Sequence, residues 1–288
     1  MKKIAQDDAN YPFLLSKIFD PPSFLYYEGE LPKEDEVLVA VVGSRACTPY
    51  GRQVAEEISY NLAKEGITIV SGLALGIDSV AHRAALTAKG KTIAVLGSGL
   101  DVIYPSSHMK LAKEIIENGG ALISEFSPGT PPLPHHFPLR NRIISGISQG
   151  IIVVEAGFKS GALITARCAL EQGREVFAVP GSIYSLNSQG SNSLIKMGAH
   201  VVTNFLDVLD VLNLKPKTKT KTKRKEIKCE TKEEAILLAL LGPEPVSIDK
   251  LHALSKLDIA VVTSTLVMLE IKGLVKNIGG ARYIKIKE

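Results

Sequence analysis

Between Glu36 and Val202, short apolar runs alternate with amphipathic stretches. EVLVAVVG leads into a helical stretch near Gly51 to Glu65, ITIVSG into one over Asp78 to Lys89, and KTIAVLG into one near Ser107 to Asn118. ALISEF follows, then IIVVE with a helix over Ala162 to Gln172, EVFAVPG with a helix near Ser191 to Met197, and AHVV. The strand-like runs are apolar throughout, as parallel strands covered on both faces require. Repeated βα units of this kind predict an α/β fold, a parallel sheet over residues 36–214 with helices on both sides.

The flanks read differently. In residues 1–35, Tyr11-Pro12 and Asp20-Pro21-Pro22 punctuate one short apolar helix, which suggests a packing arm. Residues 126–142 hold five prolines and read as a stiff loop that presents Phe137 beside Arg140 and Arg142. Residues 215–228 (KPKTKTKTKRKEIK) contain almost nothing to bury and predict a basic, solvated linker. From residue 229 onward the pattern gives three helices, with Ser247 and Asp258 as N-caps and Gly273 as a helix stop. A hairpin at Gly279-Gly280 completes a small winged-helix domain. Its third helix has no basic residue before Lys272, so protein contact suits it better than groove reading.

Charge and composition change this picture little. The formal charge is +4, yet residues 215–228 hold eight Lys or Arg against Glu226, so the remainder carries three more acidic than basic residues. Affinity of the main domain for a polyanion must therefore come from a local patch and oriented backbone dipoles. Three widely spaced cysteines suggest neither a disulfide framework nor a zinc cluster, and no cofactor is expected. The N-terminal residues lack a signal-peptide apolar stretch and no run of about 18 apolar residues occurs, which points to the cytoplasm and away from membranes.

Candidate chemistry gathers where the strands end. Gly43-Ser44-Arg45, Ser71-Gly72 through Gly76, Gly97-Ser98-Gly99 and Pro180-Gly181 would share one edge of a parallel sheet. Small residues there let an extended ligand approach the backbone, and Arg45 can fork onto phosphate. Lys159, Ser160 and Gly161 open the helix that contains Thr165, directing free N–H groups and a positive helix end outward. A dinucleotide fingerprint fails because Val102 stands at the third glycine position, and no phosphate-binding G-x-x-x-x-G-K-[ST] loop occurs. His82 lies four residues after Asp78 on one helix face, a pair that reads as structural, and His135-His136 lack metal-ligand companions.

GSR at 43–45, SGLALGIDSVAH at 71–82, LGSGLDVIYP at 96–105, SEFSPG at 124–129 and FPLRNRIISGIS at 137–148 resemble the DprA (Smf) family of DNA-processing proteins. SGALITA at 160–166, GREVFAVPG at 173–181 and SNSLIKMGA at 191–199 continue the match in order. The resemblance implies an extended Rossmann-like domain that binds single-stranded DNA, forms a homodimer and loads the RecA recombinase onto incoming DNA in natural transformation. It further implies a phosphate pocket of Gly43, Ser44 and Arg45, with Phe137, Arg140, Asn141 and Arg142 alongside. Gly72, Gly76, Lys159, Ser160, Gly161 and Thr165 would complete its floor, and the segment from Leu194 to Phe205 is a candidate dimer contact. Members of the family commonly carry a basic residue where this chain has Leu75 and Ser106, which implies a weaker electrostatic contact here.

The competing reading is an enzyme resembling the lysine-decarboxylase-like phosphoribohydrolases, in which a catalytic glutamate closely follows the glycine-rich turn. Here Gly161 is followed by Ala-Leu-Ile-Thr-Ala, with no carboxylate before Glu171. Glu125 and Glu155 at strand ends remain as acid–base candidates.

Overall fold

A computed structural model describes residues 1–216, 231–242 and 245–285. The chain divides into two units, Met1–Lys219 and Thr220–Glu288. Beyond Pro216, the expected basic linker lies outside the described residues.

In the first unit, nine strands form one sheet in the order β1-β2-β6-β5-β4-β3-β7-β8-β9. The outer pair, β1 (Lys2–Ala5) and β2 (Phe24–Gly29), is antiparallel, and β2 also runs antiparallel to β6 (Ala121–Ser124). The remaining strands are parallel: β3 (Leu38–Val42), β4 (Thr68–Ser71), β5 (Thr92–Val95), β6, β7 (Gly150–Val153), β8 (Glu175–Ala178) and β9 (His200–Val201). Every residue of β3, β4, β5, β6 and β7 is buried, which is why their sequences do not alternate.

Helices cover both faces. α2 (Pro49–Lys64), α3 (Ile77–Thr87) and α8 (Phe205–Val211) pack over a core that includes Ile58, Leu62, Ile69 and Phe177. α4 (Met109–Glu117) lies beside α3, with Leu111 and Ile115 buried. On the other face, α1 (Phe13–Ser16), α5 (His136–Gly146), α6 (Gly161–Glu171) and α7 (Gln189–Lys196) enclose Leu15, Ile143, Ile147, Ile151 and Leu194.

Two expectations change. The segment 1–35 does more than pack: it adds β1 and β2 to the sheet, and Leu15 of α1 lies against Gly146 of α5, where a Cβ would meet its Cδ1 at 2.6 Å. The proline-rich stretch is a loop only as far as His135, after which α5 begins. Pro138 falls in the first helical turn, where a missing N–H costs no intrahelical bond.

The chain leaves β3 toward β4, β5 and β6, then returns to place β7 on the other side of β3. The topological switch point is therefore at the carboxyl ends of β3 and β7, where open α/β sheets leave a crevice.

The second unit comprises α9 (Lys232–Leu240), β10 (Val246–Ser247), α10 (Ile248–Ser255), α11 (Ile259–Ile271), β11 (Val275–Asn277) and β12 (Arg282–Lys285), with a three-stranded sheet ordered β10-β12-β11. Ser247 and Asp258 cap α10 and α11, accepting from Lys250 N and Ala260 N, and Gly273 ends α11 with φ +71°. Leu237, Leu251, Leu266 and Tyr283 anchor its own core. The exposed surface of α11 includes Val261, Val267, Met268 and Ile271.

Candidate nucleic-acid interface

The loop after β3 sits at the switch point. Ser44 N donates to Glu155 O at 2.7 Å across the β3–β7 crevice, and Ile77 N donates to Ser44 O at 3.2 Å, tying the loop to the start of α3. Gly43 is packed so closely that a Cβ would meet Ile77 Cγ1 at 2.7 Å and Glu155 O at 2.9 Å. Gly76 adopts φ +77° against the backbone oxygens of Ser44 and Arg45, so both conformation and space require glycine.

Arg45 extends from this loop into solvent, with its guanidinium carbon 5.3 Å from the centroid of Phe137. Among the described residues no carboxylate pairs with it. Phe137 is seated on the backbone of Gly97, where a Cβ would approach Cδ1 to 2.9 Å. The glycines of Gly97-Ser98-Gly99 thus make room for an aromatic ring and for the neighbouring backbone of residues 127–129. Tyr104, which the sequence pattern gives no reason to single out, stands beside Phe137 with ring centroids 5.7 Å apart.

Beneath them lies a buried ionic brace. Arg140 is 4% exposed, and its Nη1 donates to Gly72 O at 2.7 Å and to Val95 O. It ties the carboxyl ends of β4 and β5 together, and any side chain on Gly72 would collide with the guanidinium. Asp78 Oδ2 accepts from Gly72 N at 3.1 Å and Ala74 N at 3.4 Å. Burial pushes the Asp78 carboxyl above its ordinary value, opposed by Arg140 and these two amides. Arg140 is lowered to about 10, first by burial and then by Arg45, while Asp78 opposes the shift. Arg45 thus lies close enough to Arg140 for the two positive charges to act on each other.

Arg142 does not join this group. It forms a bidentate pair with Glu125, both bonds 2.8 Å, and its Nε donates to Asp20 at 3.1 Å. The helix explains the separation: at 100° per residue Phe137 and Asn141 share a face, Arg140 lies about 60° away, and Arg142 lies about 140° away. Arg140 and Arg142, both expected alongside the phosphate pocket, thus have protein partners in this structure. One is a backbone brace and the other an ion-pair anchor for the loop before β2.

A further group surrounds the start of α6. Ser160 caps it, accepting from Ala162 N at 3.3 Å; Asn141 Nδ2 donates to Gly161 O at 3.2 Å, and Thr165 Oγ1 donates to the same oxygen at 3.5 Å. Gly161 and Lys159 are exposed, and no acid pairs with Lys159 among the described residues.

The carboxylates considered for acid–base work are engaged elsewhere. Glu155 is buried and accepts from Thr48 N at 2.9 Å and Thr48 Oγ1 at 2.6 Å, filling the space over Gly51 and the first turn of α2. The N-terminus of α2 thus has an internal anion, whereas no side chain caps the start of α3. Glu125 is the partner of Arg142.

An anion-receptive carboxyl edge on an extended Rossmann-like sheet, in one chain with a winged helix, is the architecture this geometry defines. The chain belongs to the DprA/Smf family of DNA-processing proteins. Residues 2–213 match the family model described as DNA recombination-mediator protein A, and residues 221–281 match the DprA winged helix domain. Protein Smf of Escherichia coli is 42% identical over 99% of this chain and 77% of its own length. The DNA processing protein DprA of Streptococcus pneumoniae is 50% identical over 70% of this chain and 71% of its own. Its X-ray structure superposes with a TM-score of 0.69 at 48% identity, covering 73% of each chain. DNA processing protein A from Helicobacter pylori, described for its single-stranded DNA binding mode, matches with a TM-score of 0.66 at 32% identity, covering 74% of this chain and 96% of that one.

Proposed function

We infer that this chain binds single-stranded DNA along the carboxyl edge of its sheet, with Arg45 as the principal phosphate contact and Phe137 as a base platform. The observation that carries this reading is the exposed Arg45, free of any acid partner among the described residues and lying over the ring of Phe137. Gly43, Ser44, Gly72 and Gly76 supply a close-approach floor, and Ser160, Gly161, Asn141 and Thr165 order the amide-rich start of α6. Arg140 acts through the backbone it braces. The single-stranded DNA binding of the Helicobacter pylori relative supports the same ligand here.

The chain acts as a recombination mediator, a role supported by the description of its family model, and delivers the strand to RecA in the cytoplasm. It works as a homodimer. Leu170 and Met197 are exposed around a cavity of about 120 Å³ lined also by Leu194, and Val201 is exposed just beyond its lining residue His200, a surface suited to a second copy. Its winged helix contacts protein through the apolar residues exposed on α11.

Salt dependence tests the binding mode. Because backbone amides release few counterions, the slope of log affinity against log salt is shallow, about 3 or less per subunit at roughly 0.7 per phosphate neutralised on a single strand. A slope of about 7 or steeper, equivalent to ten phosphates, contradicts a pocket built on Arg45 and amides.

A further inference from the structure

The loop after β8 departs from the rule that large apolar side chains avoid water. Tyr184 is 91% exposed, Ile183 76% and Leu186 73%, and Phe158 after β7 is 67% exposed. Ile183, Tyr184 and Leu186 sit on a loop held by hydrogen bonds. Tyr184 N donates to Ser182 Oγ and Ser185 N to Ser182 O, making a tight turn that holds Ile183 and Tyr184 outward. Asn192 clamps Gly181 on both sides, accepting from its N at 3.1 Å and donating to its O at 3.0 Å. Ser188 Oγ lies where a Cβ on Gly181 would fall.

This loop is continuous with the Arg45 site. Asn187 Nδ2 donates at 3.0 Å to the carbonyl of Ala46, the residue after Arg45, and Tyr50 donates to Pro180 O at 2.8 Å. Leu186 O is 3.4 Å from the Cβ position of Gly157, next to Phe158. Besides Arg45 with Phe137 and Tyr104 over β3 to β5, the carboxyl edge therefore carries exposed Phe158, Lys159 and Tyr184 on the adjoining loops after β7 and β8. Four strand spacings of about 4.8 Å separate β5 from β8, on the order of 20 Å.

We propose that Tyr184 and Phe158 form a second base-stacking platform for the same single strand, with Lys159 as its phosphate contact. The proposal rests on the reading that Arg45 and Phe137 bind single-stranded DNA. A strand leaving that group along the sheet edge meets exposed rings and a cation with no acid partner among the described residues, the pairing that sequence-tolerant single-strand binders use. The loop is already ordered, so little conformational freedom is lost when a base stacks on it.

The chain has no tryptophan, so Tyr184→Trp in the full-length protein places a sole indole at the platform. Its fluorescence is titrated with mixed-sequence single strands of about 20 and about 4 nucleotides, lengths chosen around the roughly 4–16 nucleotides that one compact fold occupies. Anisotropy of the same labelled strands is followed in parallel for wild type, Tyr184→Ala and Arg45→Ala. The proposal expects the longer strand to quench the indole, and Tyr184→Ala to weaken that strand roughly tenfold, the scale of one lost stack, while sparing the shorter one. Arg45-dependent binding of the longer strand, with an unquenched indole and a harmless Tyr184→Ala, overturns the platform and leaves the Arg45 reading intact. Loss of all single-strand binding, or indifference to Arg45→Ala, overturns that reading and the platform with it. An indole signal that follows protein concentration without DNA assigns the loop to a second copy of the chain and likewise overturns the proposal.

Discussion

His82 shows how a single residue is committed to the fold beneath the site. Its Nδ1 is 2.7 Å from Thr92 Oγ1, and that hydroxyl donates its only proton to Ile69 O at 2.7 Å. Nδ1 must therefore be the protonated nitrogen. Nε2 is buried with no hydrogen-bond partner among the described residues. Burial, followed by the charges of His108 and Arg140, lowers the imidazole from 6.5 to about 3. The folded state thus refuses a proton that the unfolded chain accepts below about 6.5, so stability is complete above that pH and declines as pH falls toward about 3. Urea unfolding of wild type should show this residue's contribution as roughly one decade in the unfolding constant per pH unit in that window. His82→Gln should flatten the slope, and equal slopes in the two proteins would sink the assignment. Helix spacing puts Asp78 and His82 on one face and suggests a structural pair, but the hydrogen-bond partner of His82 is Thr92, which only the β4–β5 register brings close. Arg140 is similar: its sequence neighbourhood says phosphate, and only the tight backbone of Gly72 reveals the brace.

Among the elements, α5 matters most because it holds Phe137 and Arg140 on adjacent faces. It is positioned partly from outside the βα series, by Leu15 of α1 against Gly146. Leu15 is fully buried, so Leu15→Ala should destabilise the first unit by about 2–5 kcal/mol in chemical denaturation. Single-strand affinity should fall less than with Arg45→Ala, because the charge survives while its platform loosens. Unchanged stability would show that the arm does not support α5. The buried parallel strands were legible because unbroken β-branched runs have one comfortable environment. β1 and β2 were not, since four- and six-residue strands separated by a proline-punctuated stretch look like loop, and the pairing of β2 with β6 is non-local. Nor was the start of α5, where proline reads as a breaker although the first turn tolerates it. The caps and hairpin of the winged helix were plain because cap chemistry is local.

For the whole molecule, net charge is a poor guide to its partner. Eight of the basic residues fall in one short tract, while the proposed phosphate contact of the main unit, Arg45, lies at a switch point. The order of strands could not be derived from periodicity, yet it brings Arg45, at the end of β3, between the glycine loops of β4 and β5 on one side and the α6 start on the other. Conversely, the tract and the winged helix should contribute little to discrimination between single and double strands. The most direct measurement is anisotropy binding of labelled single- and double-stranded oligonucleotides of mixed sequence to wild type, Arg45→Ala and a chain ending at Leu214. The account predicts preference for the single strand, a roughly 10- to 100-fold loss on removing a charge-assisted contact at Arg45, and near-wild-type affinity in the truncated chain. Duplex preference, or binding that disappears with the residues after Leu214 while Arg45→Ala is harmless, would contradict it.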